Sequence, residues 1–161
     1  MKTASISGIK NELQSMEVED VVDICLRLIK FKKDNKELVH YLLFESNNEG
    51  GYIRQAKQDI ADAFAQTNSS SFYLAKKSIR RALRITDKYI KLSGKPETEL
   101  ELLLFYCTCM QNTSINWKQS KVLLNIYQRV LARMEKSYAL LHEDLQFEYR
   151  QSLDSLRVFS A

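Results

Sequence analysis

Only four Gly and one Pro interrupt 161 residues, where average usage gives these two types roughly 12% of a chain. Sandwiches, barrels and folds built on Gly-rich phosphate loops need a backbone that bends often, and this chain has few places to bend. What remains are long stretches with apolar residues three and four apart, the pattern of amphipathic helices. The sequence therefore predicts an all-α fold of seven or eight helices. They form a multi-helix bundle or a short stack of antiparallel helical hairpins joined by short connections. The length fits one domain over 1–161, and a composition 45% apolar and 27% charged is that of an ordinary soluble globular chain.

Local signals divide the chain. A short helix is predicted over Ile6–Gln14 and a second over Glu17–Lys33, with Ser15 as its N-cap and Glu17, Glu19 and Asp20 in its first turn. Val21, Ile24, Cys25, Leu28 and Ile29 recur at the spacing of one buried stripe. Asp34 and Glu37 have capping-box spacing before a third helix over Asn35–Ser46, apolar nearly all round and so expected to be enclosed. Asn47-Asn48-Glu49-Gly50-Gly51 reads as a loop, followed by a helix over Tyr52–Gln66 and a break at Thr67-Asn68-Ser69-Ser70. A fifth helix over Ser71–Ser93 ends at Gly94, with Pro96 opening the next. That sixth helix, Glu97–Asn112, contains Leu-Leu-Leu-Phe-Tyr-Cys-Thr-Cys-Met and belongs at the centre of a core. From Asn116 to Val158 the apolar period continues without Gly or Pro; a single rod of that length would run about 60 Å, so either it projects and finds a partner or, the preferred reading, it breaks between Leu140 and Glu143. No repeat of fixed period stands out.

Most chemical candidates fail on spacing. Glu37-Leu38-Val39-His40 has the Glu-x-x-His spacing of di-iron carboxylate bundles, but that architecture needs a second such motif, and the other histidine, His142, has Ala139 three residues before it. Cys107 and Cys109 sit about 200° apart on a helix, too divergent for one metal. Three cysteines in apolar surroundings suggest small core side chains in a reducing cytoplasm and no disulfide framework. Asp20 with Asp23, and Asp59 with Asp62, have the i, i+3 spacing by which all-helical phosphate hydrolases hold Mg²⁺, yet both pairs fall opposite the apolar stripes of their helices. No nucleophile elbow, phosphate loop or dinucleotide fingerprint is present. The sequence thus reads as non-enzymatic and without a cofactor. No apolar run approaches the ~18 residues of a membrane span, and the N-terminus has no apolar secretory core.

One helix stands apart electrically. Residues 69–95 hold eight of the 24 Lys and Arg residues (Lys76, Lys77, Arg80, Arg81, Arg84, Lys88, Lys91, Lys95) and only one acid, Asp87, although the net charge of the whole chain is just +4. On a helical wheel the eight occupy one arc of about 140°, with Tyr73 on the same arc. Like charges at i, i+4 destabilise a helix, so an acidic counterpart is expected. Internal candidates are Glu97, Glu99, Glu101, Glu148 and Asp154; external ones are an acidic protein, an anionic membrane surface, or the phosphate backbone of a nucleic acid bound by Tyr73 and the eight cations, with membrane insertion disfavoured because the apolar half of the helix is needed for the core. The function expected from the sequence is a protein-interaction or scaffold domain, with residues 116–158 as the seam of a homodimer. Nucleic-acid binding through residues 76–95 is the alternative, and Mg²⁺-dependent phosphate chemistry at the Asp pairs is a third.

Overall fold

A computed structural model describes residues 2–66 and 72–160, with side chains through residue 158. The fold is all-α: 86% helical, with eight α-helices and no strand among the described residues. The chain divides into two compact units, residues 1–44 and 45–161.

The first unit contains α1 (Ile6–Ser15), α2 (Val18–Phe31) and α3 (Lys33–His40), with α2 packed on α3. A wide π-type turn, Tyr41–Glu45, follows. Ser5 caps α1 by accepting from the Gly8 amide at 3.1 Å. Ser15 does not cap α2 as the sequence suggests; its hydroxyl donates to the Glu12 carbonyl of the preceding helix, and Glu17 takes the N-cap position. Asp34 is not the N-cap of the next helix either; Lys32 holds that position. Helix α3 begins a residue earlier than Asp34, and Glu37 faces Lys33 at 3.7 Å. Instead, the Asn35 amide donates to the Leu28 carbonyl at 2.9 Å and closes the hairpin.

Burial in this unit departs most from the sequence reading. No residue of α1, α2 or α3 is buried. On α2, Val21, Ile24 and Ile29 are half-buried, while Cys25 is exposed and Leu28 keeps 51% of its surface. The segment expected to be enclosed leaves Leu38, Leu42, Leu43 and Phe44 exposed; only Tyr41 is buried. The physical reason is simple. Two short helices cover one side of each other, and α2 and α3 are the pair that packs here. An apolar arc wider than half a helix then keeps one flank open.

The second unit is a bundle built around α6 (Pro96–Gln111), which packs against α4 (Glu49–Ala65), α5 (Phe72–Ser93), α7 (Lys121–Ala139) and α8 (Glu143–Ser160). Eight of its side chains are buried, among them Leu100, Leu102, Leu103, Tyr106 and Cys107, as its all-round apolarity predicts. Gly94 has φ 66°, the left-handed C′ conformation that suits Gly, and its amide returns to the Ile90 carbonyl at 2.9 Å. Pro96 opens α6. The predicted break after α7 is present: Gln146 donates to the carbonyls of Tyr138 and Leu141, covering the end of α7 as α8 begins. Leu123, Ile126, Tyr127, Val130, Met134, Leu153 and Leu156 are buried inside the unit, so the apolar seam of residues 116–158 is occupied internally. The predicted break at Thr67–Ser70 and start at Ser71 lie outside the described residues.

The predicted loop at 47–51 is in fact largely helical. Asn48 caps α4 by accepting from the Gly51 amide at 3.1 Å, and a Cβ at Gly51 would lie 2.6 Å from the Asn48 side-chain nitrogen, so a larger residue there would push the capping side chain aside. Glu49, in the first turn, joins α4 to the α5–α6 corner. Its carboxylate accepts from Ser93 (2.6 Å), Thr98 (2.6 Å) and Lys95 (2.7 Å). Glu49→Ala leaves the buried Thr98 hydroxyl without this acceptor. The expected loss is about 2 kcal/mol in chemical denaturation, because an orphaned buried donor is penalised more than an exposed ion pair is worth. A change under ~0.5 kcal/mol would show that the corner is held by packing alone.

Candidate interaction surfaces

The basic arc lies along α5, whose opposite side is pinned in the bundle by Ala75, Ile79, Ala82, Thr86 and Ile90. Lys77, Arg80, Arg81, Arg84, Lys88, Lys91 and Lys95 are exposed, as is Tyr73 at 75%, and Lys76 is half-buried. The internal acids named as counterparts are mostly engaged elsewhere. Glu99 and Asp87 both bind Arg133 of α7, at 2.9 and 2.5 Å. Glu101 binds Lys57 at 2.6 Å, and Asp154 binds Arg157 at 2.6 Å. On the arc itself Lys95 pairs with Glu49, Arg81 donates to the Gln66 amide at 2.8 Å, and Lys76 sits over the Phe72 ring at 4.9 Å. Lys77, Arg80 and Arg84, exposed and without an ion pair among the described residues, leave the first part of the arc open.

The other candidates are drawn into structural contacts or spread apart. Asp59 is half-buried and accepts from Gln55 (2.8 Å) and from the Tyr89 hydroxyl (2.6 Å), while Asp62 accepts from Gln58 at 2.8 Å. Thus Asp59 faces α5 and is not the solvated residue its wheel position suggests. Burial first, then the Asp59 hydrogen bond, push the Tyr89 hydroxyl well above the usual tyrosine range. Asp20 and Asp23 are exposed on α2. His40 stacks obliquely on Phe44, with ring centroids 5.1 Å apart. No cluster of three potential metal ligands occurs among the described residues. Burial raises the Cys107 and Cys109 thiols, the opposite of what activates a nucleophile; Cys25, by contrast, is exposed.

The site that sequence reasoning missed is the open flank of α2. Val18 keeps 72% of its surface exposed, Val22 50%, Leu26 45% and Phe31 83%. Ile24, Arg27, Leu28 and Phe31 line a shallow, mainly apolar cleft on the same helix. The signal was in the spacing: Val18, Val22, Cys25 and Ile29 step by four, three and four, as in a helix–helix seam. Among the described residues no helix is long and apolar enough to cross a membrane. No protein-family model, curated protein or solved structure matches the chain.

Proposed function

We propose that the chain is a non-catalytic helical module that works by binding another protein through the open apolar flank of α2. The carrying observation is that Leu28 and Phe31, 51% and 83% exposed, line one apolar cleft on α2 together with Ile24. Contiguous apolar surface of this kind marks docking sites, and burying one large side chain contributes about 2 kcal/mol. Support also comes from the polar candidates, since the half-buried carboxylate and the buried thiol serve structural contacts. A reducing, cytoplasmic setting suits three free thiols, one of them exposed. The test is Phe31→benzoylphenylalanine, irradiated in the producing cell. A covalent protein adduct at this position is expected, and its absence overturns the reading.

A second reading is favoured by the uncovered basic arc: binding of nucleic acid through Tyr73 and Lys76–Lys95. Because α5 buries its apolar side in the bundle, the arc offers charge without an inserting face, which suits a phosphate backbone better than a lipid bilayer. Retardation of DNA or RNA is expected at about 50 mM salt, falling steeply by about 200 mM. The combined Arg80→Glu, Arg81→Glu and Arg84→Glu change should abolish it. A retardation that persists in that variant removes this reading.

A further inference from the structure

Within the basic arc, four side chains stand in one narrow row. Tyr73, Lys77, Arg80 and Arg84 fall inside about 60° of the α5 wheel, and all four are exposed, Tyr73 by 75%. Lys91 lies on the same strip, with Lys88 beside it, and both are exposed. From Tyr73 to Lys91 the row runs about 27 Å, with roughly one cation for each helical turn of about 5.4 Å. The aromatic ring stands at one end of it.

Both edges of the row are joined to neighbouring helices. On one side Arg81 donates to the amide oxygen of Gln66, at the C-terminal end of α4, at 2.8 Å. On the other, Asp87 holds Arg133 of α7 at 2.5 Å. This placement decides which form of nucleic acid fits. A major groove is about 12 Å wide, a width that one bare helix of about 10–12 Å already fills. A helix tied to neighbours at both edges cannot enter it. Nor does a straight row follow one strand of a duplex, which winds away around its axis. A flexible single strand can lie along the whole row. Its phosphates then meet the cations and a base meets the ring, the pairing of charged track and stacking platform by which single strands are held.

We infer that the α5 row is a track for single-stranded nucleic acid, with the sugar–phosphate backbone along Lys77, Arg80 and Arg84 and a base stacked on Tyr73. The inference rests on the nucleic-acid reading above; it adds the form of the nucleic acid and the residue that meets a base.

The test is fluorescence anisotropy of the full chain at about 50 mM salt. The labelled probes are oligo(dT) and oligo(rU) of about 15 nucleotides, a duplex DNA of the same length, and inorganic polyphosphate. At least one of the two single strands should bind on the order of tenfold more tightly than the duplex. Tyr73→Ala should weaken that binding about tenfold, and Tyr73→Phe, which keeps the ring, should leave it unchanged. Polyphosphate has charge and no bases, so its affinity should respond to neither Tyr73 variant. Lys77→Ala with Arg84→Ala should make the slope of log affinity against log salt shallower by about 1.4, the share of two phosphates on a single strand. Circular dichroism checks that each variant keeps its helices. Duplex binding as tight as that of both single strands overturns the inference. So does single-strand binding indifferent to Tyr73→Ala, a polyphosphate affinity that falls with that variant, or an unchanged salt slope. The broader nucleic-acid reading survives any of these as long as the triple Glu variant of Arg80, Arg81 and Arg84 abolishes binding. Absence of binding to every probe removes both.

Discussion

Leu103→Ala is expected to remove about 3 kcal/mol from the stability of the 45–161 unit. Leu103 is fully buried on α6, the helix that contacts α4, α5, α7 and α8. With helices on several sides, no single neighbour can move in to fill the space. The loss therefore includes a cavity contribution beyond the transferred methyl groups. For a unit of this size the melting midpoint should fall by roughly 10 °C. Leu28→Ala is the natural comparison: with 51% of its surface already exposed, its effect should stay near ~0.5 kcal/mol under monomeric conditions. Urea titrations of both variants decide the matter. A Leu103 effect below about 1 kcal/mol would mean that α6 is not the packed centre of the bundle.

Alkaline unfolding should be steep. Tyr127 and Tyr149 are pushed up to about 12, in both cases chiefly by burial, and Tyr89 and Tyr106 are raised further for the same main reason. A group whose folded-state value lies above its unfolded value lends stability that is complete below the unfolded value, near pH 10, and is lost as the pH rises through the folded one. Each such tyrosine removes up to about 1.4 kcal/mol per pH unit in that window, so four give at most about 5.6 kcal/mol per unit, less for the half-exposed Tyr89 and Tyr149. Between pH 10 and 12, growth of the tyrosinate absorbance should track the loss of helical circular dichroism. Tyr89→Phe, which removes one of the four, should shift the transition to higher pH. If the buried tyrosines ionise near pH 10 while helicity persists, the hydroxyls are not held by the fold as described.

The parts of this architecture written in local chemistry were legible from the sequence. Gly94 followed by Pro96 marks a corner because backbone geometry leaves little choice there. The run through Leu102–Met110 has no polar face to offer solvent, so its central place follows from composition alone. The acidic residues after Leu141 marked the start of α8. Other features depended on what lies nearby in space. Periodicity shows which side of α2 is apolar, but whether that side is covered depends on a partner helix. Gly50-Gly51 suggested a loop, and the helix prevailed because Asn48 caps it and Glu49 is held by Ser93, Lys95 and Thr98 at the α5–α6 corner. The site was half legible. Every cation of the α5 arc was named from the sequence, whereas the α2 flank was taken for core, since a buried stripe and a docking seam share one spacing.

The contact between Arg133 and Asp87 has an electrical consequence for α5. Asp87 is the lone acid among the cations there, and a guanidinium on a neighbouring helix masks it. The potential that an anion meets near Asp87 is therefore set partly by a residue outside α5. Replacing Arg133 with a neutral side chain both subtracts a cation and unmasks two carboxylates, Asp87 and Glu99, so long-range attraction should weaken although no residue of the stripe has changed.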